Sequence, residues 1–435
     1  MRLKRWVGGW HSGKQEPDAN GNLVFESDKK IEALAKECTS TDGLLTGEVL
    51  DWLVSPDAKQ SSSFFYWLGR FDENGSLMDT IEKVGERPEA ARALGAYFGG
   101  LSRRKPEFVQ TRLDELTREP KVCGMGILVA TQYLTGNRQS VDRVRKLIYD
   151  SRIEPTDAAR LLSGGGWPRN LSADECYDLL SSVAGSALTN AAAVIDFLAM
   201  WGGYFKKPLE GKLADLAWRC LESVPAQVDA SDADLLAAIL VDNDAGRGFR
   251  LLELVMNQPY DRRGWRPIDH YSTRRFWDAL HIADKSRLLK VVFGLNFGGA
   301  TRALGISWHL PELINWDEDK EILRELALED EVKAVLVLQC TPRTGLWPLA
   351  IELLQQFPGS KRVRSMIVSR ANHDQEVIRG PQSLHYQNCA LEVQAILDDP
   401  NTPSLARAFL REVHDRFLEA ARTQKRVEED EAVNW

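Results

Sequence analysis

The chain has 435 residues, of which 43% are hydrophobic and 27% charged, and a formal net charge of −8. That length exceeds the roughly 250 to 300 residues at which a single core stops growing, so several domains or one elongated array are expected. The composition excludes disorder for the bulk of the chain, and the acidic balance confines any nucleic-acid role to local basic patches.

The six cysteines, Cys38, Cys123, Cys176, Cys220, Cys340 and Cys389, stand at wide spacing with no Cys-x-x-Cys pair. They read as reduced, mostly buried thiols of a cytoplasmic protein. Met1, Arg2, Lys4 and Arg5 could open an export signal, but no apolar run follows them. The most apolar stretch, 187–201, is interrupted by Asn190 and Asp196 and falls short of the ~20 residues of a membrane span. It reads as a buried helix, and no membrane association is expected.

In chain order, residues 1–27 hold Pro17 and an Asp18-Ala19-Asn20-Gly21-Asn22 turn cluster and form an irregular N-terminal segment. A helical-repeat region over 28–256 follows. With Asp28 as N-cap, Ile31, Leu34, Ala35 and Cys38 make an i, i+3, i+4, i+7 face. Helices are predicted over 44–54, 64–71, 77–84, 89–101, 107–117, 122–134 and 141–149, separated by Gly, Pro, Asn or Ser breaks. Pro88, Pro106 and Pro155 sit at helix starts, where the missing N–H costs nothing. The rhythm continues over 158–162, 174–183, 187–201, 209–221, 232–241 and 249–256. A long connection is read at 257–272, because its polar and aromatic residues show no clear period.

A second helical-repeat region over 273–421 contains helices at 274–283, 285–295, 317–328 and 331–339. The segment 346–370 then folds as two amphipathic helices about a Phe357-Pro358-Gly359-Ser360 turn, with Leu349, Leu353 and Leu354 on one face and Val363, Met366 and Ile367 on the other. Such short helices are marginal alone and need neighbours built alike. Helices at 391–397 and 405–417 close the region, and 422–435, with Glu428 to Glu431, reads as a frayed charged tail. The expected fold is all-α, an α-solenoid of divergent HEAT-like helical hairpins.

The segments LLSGGGWPRNLSADECYDLL at 161–180, QSLHYQ with Ser383, His385 and Tyr386, and LDDPNTP with Asp399 and Pro400 carry a resemblance. They are similar to the HEAT-like or tetratricopeptide-like repeats at the C-terminal ends of large bacterial STAND-type nucleotide-triphosphatases and other defence and signalling proteins. The resemblance implies a sensor or scaffold module. It supplies no catalytic residue, and the chain lacks an evident nucleotide-triphosphatase core.

One stretch imitates such a core: Gly8 to Lys14 fits Gly-x-x-x-x-Gly-Lys, but Gln15 stands where Ser or Thr should ligate Mg²⁺. The basic residues before it and Pro17 after it also disfavour the strand and helix that a phosphate loop needs. No cofactor is assigned.

The richest polar cluster holds Arg262, Arg263, Trp265, Arg266, His270, Arg274 and Arg275. Arginines interleaved with aromatics suit a protein interface, and they also suit phosphates and stacked bases. The bland alternative is a connection whose arginines pair with Asp261, Asp269 and Asp278. A second basic set, Lys361, Arg362, Arg364 and Arg370, reads as a solvated helix face. Asp269, His270 and His281 lack a third ligand at metal spacing, and no His-Glu-x-x-His or Gly-x-Ser-x-Gly motif occurs, so catalytic and metal sites are assigned to none. Trp52, Trp67, Trp201, Trp218, Trp277 and Trp347 read as inter-helix packing, whereas Trp6, Trp10, Trp265 and Trp308 lie in less regular settings.

The functional expectation is a non-catalytic, protein-binding scaffold or sensor, which the resemblance places in a bacterial defence or signalling system. The alternatives are a nucleic-acid-binding helical array using the region 257–277 and an enzyme whose groups converge between helices.

Overall fold

In the computed structural model the chain is all-α apart from two three-residue strands, Gln15–Pro17 and Leu23–Phe25, paired antiparallel. The structure describes residues 2–10, 13–17, 23–41, 43–164, 166–223, 230–257, 274–294, 314–372 and 381–433, without the side chains of 230, 256–257, 294 and 431–433. They form two compact units, 2–243 and 244–433. The division falls one helix before the connection read from sequence at 257–272, of which 258–272 lie outside the described residues.

The first unit begins with α1 (Arg2–Val7), α2 (Glu26–Ser40), α3 (Gly47–Leu53), α4 (Ser61–Phe71), α5 (Met78–Val84) and α6 (Ala91–Ser102). It continues through α7 (Pro106–Arg118), α8 (Gly124–Gln132), α9 (Arg138–Tyr149), α10 (Pro155–Ser163), α11 (Ala173–Ala184), α12 (Ala191–Ala199), α13 (Gly211–Ser223) and α14 (Ala230–Val241). Helices α2, α4, α6, α8, α10, α12 and α14 pack each on the next, and α7, α9, α11 and α13 do the same beside them. Alternate helices share a row because each short loop turns the chain back on itself. Both rows are apolar where they meet. Phe64, Phe65, Tyr97, Phe98, Ile127, Leu128, Val144, Leu147, Leu179 and Phe197 are all buried.

Some boundaries move for identifiable reasons. Helix α2 starts at Glu26, and Asp28 is its third residue, where the carboxylate reaches back to accept the Phe25 N–H at 3.1 Å. Apolar periodicity over 187–201 begins as a turn in which Leu188 has φ 55, so α12 starts only at Ala191. Past Ala199 the helix widens into a π turn, Met200–Tyr204, rather than continuing.

The second unit holds α15 (Ala245–Asn257), α16 (Arg275–Gly294), α17 (Trp316–Glu329), α18 (Glu331–Cys340), α19 (Arg343–Gln356), α20 (Lys361–Asn372), α21 (Gln382–Asp398) and α22 (Ser404–Val433). Helix α16 breaks at Asp284, at φ −162 and ψ 87, between the two helices that the sequence predicts. The Asp284 carboxylate accepts the Arg287 N–H at 2.9 Å and so caps the second half. Helices α19 and α20 pack together about the 357–360 turn, with Leu349, Leu353, Leu354, Val363 and Ile367 buried. Helix α19 starts three residues earlier than expected and keeps Pro348 inside.

The charged tail read at 422–435 is not frayed through its described length. Helix α22 runs on to Val433, and Glu428 accepts hydrogen bonds from the backbone N–H and the hydroxyl of Ser383. Those bonds hold the Glu428 carboxyl below its ordinary range, the hydroxyl having the larger effect. Sequence gives no partner for such a tail; α21 packing along α22 supplies it.

All six cysteines are free, and five are buried. Burial lifts Cys38 to about 11 and Cys220 and Cys340 to about 12, so these thiols stay protonated and unreactive at neutral pH. Among the described residues no helix is long and apolar enough to cross a membrane.

Candidate functional site

Among the described residues, clefts gather in the first unit, where the loops after α6, α8 and α10 and the π turn after α12 come together. Three clefts of about 460, 480 and 410 Å³ follow one another there. The first and second share Arg103, Tyr133, Leu134 and Thr135, and the second and third share Gly166. Together they make one groove along the loop edge.

Glycine sets the spacing of its helices. A Cβ on Gly69 of α4 would stand 2.0 Å from the Tyr97 carbonyl oxygen, and one on Gly100 of α6 would stand 1.9 Å from that of Tyr66. The two backbones therefore touch, which only glycine permits. Gly99 in turn receives the Tyr133 ring, whose nearest carbon would lie 2.5 Å from an added Cβ. Seated there, Tyr133 has its ring centroid 6.0 Å from that of Tyr66 and remains 37% exposed. Burial lifts its hydroxyl above the ordinary range; nearby Tyr66 adds to the rise and Arg103 opposes it.

Beneath the first cleft lies a polar network. The Arg143 guanidinium, fully buried, bonds the Asp114 carboxylate, the Gln110 side chain at 2.6 Å and the Gln110 carbonyl at 3.0 Å. Burial pulls the Arg143 pKa down, and Asp114 opposes the fall. Gln110 also lines the cleft, so α9 holds the floor that α7 presents. The adjoining loop is fixed by reciprocal caps at 2.9 Å: the Ser140 N–H donates to the Asn137 side chain, and the Asn137 N–H donates to the Ser140 hydroxyl. A groove on such supports is preformed.

At its far end the π turn exposes Met200 and Tyr204, the latter 73% accessible, with Phe205 packed edge-on to Tyr204 at 5.2 Å. Single π turns recur at functional sites, and here one closes the α12 helix. Trp167 lines the middle cleft and is 1% exposed, and its indole N–H has no acceptor among the described residues. Arg103 and Arg169 line the groove as exposed side chains, and neither forms an ion pair among the described residues.

The residues singled out by sequence fare differently. Arg262, Arg263, Trp265, Arg266 and His270 lie outside the described residues. Arg274 pairs with Asp278 at 3.6 Å, Arg275 opens α16 exposed, and Trp277 is buried. His281 Nε2 is buried without a hydrogen-bond partner among the described residues, and no cluster of three His, Cys, Asp or Glu side chains suits a metal among them.

The basic face expected on α20 needs correction. Lys361 and Arg362 are exposed, but Arg364 donates to the Pro358 carbonyl at 2.6 Å and lies over the Phe409 ring, and Arg370 donates to the Thr341 carbonyl at 2.7 Å. In QSLHYQ, Ser383 serves the Glu428 contact, and His385 Nε2 lies 3.2 Å from the Asn372 carbonyl. In the Gly8 to Lys14 lookalike, α1 precedes the glycines and strand Gln15–Pro17 follows Lys14, whose carbonyl accepts the Glu26 N–H at 3.1 Å. A strand rather than a helix follows the lysine, and the N-terminus of α2 meets its carbonyl.

Comparison with protein-family models, with curated proteins and with solved structures finds no match. The groove therefore has to be interpreted from its own chemistry. Its residues did leave a trace in the sequence: Arg103, Tyr133, Arg169 and Tyr204 follow one another at intervals of 30, 36 and 35 residues. That is the length of one helical hairpin, and the recurrence of Arg and Tyr at it was the available signal.

Proposed function

We propose that the chain is a non-catalytic protein-binding scaffold or sensor whose first unit is an α-solenoid of divergent HEAT-like hairpins. The observation that carries this reading is the groove over residues 102–107, 132–139, 163–164, 166–170 and 200–205, preformed and lined by exposed Tyr and Arg. Tyr, Arg and Met are the residue types enriched at protein interfaces, and the aromatic rings supply contact area at little entropic cost. The alternate-helix packing of the first unit supports the repeat assignment, because each hairpin there touches mainly its neighbours in sequence.

The test is recovery of a partner on the immobilised full chain from an extract of its source cells. Tyr133→Ala with Tyr204→Ala is expected to abolish recovery while the helical circular dichroism is unchanged. A parallel variant with Arg262, Arg263 and Arg266 changed to Ala examines the other candidate patch. Recovery that survives the tyrosine changes and fails with the arginine changes overturns the groove assignment.

A further inference from the structure

Resting on the groove reading above, the charge and spacing of the loop edge specify its occupant: we infer that the groove binds an extended peptide segment carrying acidic side chains about five to six residues apart. In a chain of net charge −8, the edge segments 102–107, 132–139, 163–170 and 200–208 hold the run Arg103-Arg104-Lys105, Arg138, Arg169 and the pair Lys206-Lys207 against one acid, Glu107. Arg104 is taken up by Glu73, and Arg138 by Asp142 and Asp178. Arg103 and Arg169 are not, and both line the groove. An exposed guanidinium that forms no ion pair is the half of a bidentate pair that a ligand carboxylate completes. The Trp167 indole N–H, buried on the middle cleft without an acceptor, adds a second donor that points to an acceptor-bearing ligand.

Spacing sets the register. Arg103 ends α6 and Arg169 follows α10, two steps along the row that runs α6, α8, α10. Packed helices stand about 8 to 10 Å apart, so two steps of the row span about 16 to 20 Å, which an extended chain covers in about five to six residues. Tyr133 lies between them and Tyr204 beyond, and each suits an apolar or aromatic side chain of the same segment. A nucleic acid fits less well. It brings a phosphate at every nucleotide, whereas among the described residues only two arginines without an ion pair line the clefts, and Glu107 lines the first cleft as well.

The experiment is selection of a displayed random 15-residue peptide library on the full chain, followed by fluorescence anisotropy with the selected peptides and with a labelled dT15 oligonucleotide. The expected result is enrichment of Asp or Glu at two positions five to six residues apart, and at least a tenfold loss of affinity with Arg103→Glu plus Arg169→Glu. Changing the two peptide acids to their amides produces the same loss on the unaltered chain. Selected peptides that lose binding with Tyr133→Ala and Tyr204→Ala but carry no acidic pattern overturn this inference and leave the groove reading standing. Absence of any peptide sensitive to the tyrosine changes overturns both. Tighter binding of dT15 than of any peptide, lost with the two arginine changes, replaces the acidic segment with nucleic acid. Circular dichroism of each variant separates loss of binding from loss of fold.

Discussion

The loop edge of the first unit and helix α20 of the second are both rich in arginine, yet their arginines do different work. On α20, Arg364 and Arg370 donate to the carbonyls of Pro358 and Thr341, and Arg364 also covers the Phe409 ring. On the loop edge, Arg103 and Arg169 reach into clefts without an ion-pair partner among the described residues. Net charge along a segment thus says little about available charge. What decides is whether packing brings an unsatisfied carbonyl or carboxylate within reach, and α20 has the turn before it and the end of α18 beside it.

Substitutions separate the two situations. The largest effect is expected from Asp114→Ala, which leaves the fully buried Arg143 without its carboxylate and costs about 3 kcal/mol, read as a shift in the urea midpoint. Gly100→Ala follows, at about 1 to 3 kcal/mol, because the added carbon meets the Tyr66 carbonyl and must push α4 from α6. Tyr133 fluorescence or proteolysis near residue 133 then reports whether the groove opens with them.

The comparison itself is sharpened by single arginine changes. Arg370→Ala strands the carbonyl of buried Thr341 and is expected to cost about 1 to 2 kcal/mol in thermal or urea unfolding. Arg103→Ala and Arg169→Ala are expected to stay within about 0.5 kcal/mol of the unaltered chain, as exposed side chains without partners do. Equal losses at all three positions break the distinction between committed and available arginines.

A smaller effect concerns pH. Hydrogen bonds from Ser383 depress the Glu428 carboxyl, so this contact stabilises the end of α22 above the ordinary carboxylate range. It is lost as pH falls through the depressed folded-state value, since protonation removes an acceptor. Amide exchange in the last turns of α22 is therefore expected to speed up on acidification in the unaltered chain and to show no such step with Glu428→Gln.

Much of the helical content was legible. The break of α16 at Asp284 and the α19–α20 hairpin follow from periodicity and turn residues acting over a few positions. The commitments of Arg364 and Arg370 were not, because Arg364 depends on how the 357–360 turn aims the Pro358 carbonyl and Arg370 meets the Thr341 carbonyl only once α18 and α20 pack. The same holds for Glu428, whose partner Ser383 is 45 residues away. The groove was hidden for a related reason. Its residues occur one per hairpin, 30 to 36 positions apart, and no single stretch contains more than a fragment of it.

The most direct test of the central claim is hydroxyl-radical footprinting of the full chain with and without a captured partner or a selected peptide. Protection of Tyr133, Met200 and Tyr204, with Leu384 and Leu391 of the second unit unchanged, is the predicted result. Unchanged labelling of Tyr133 and Tyr204 in the bound state contradicts it.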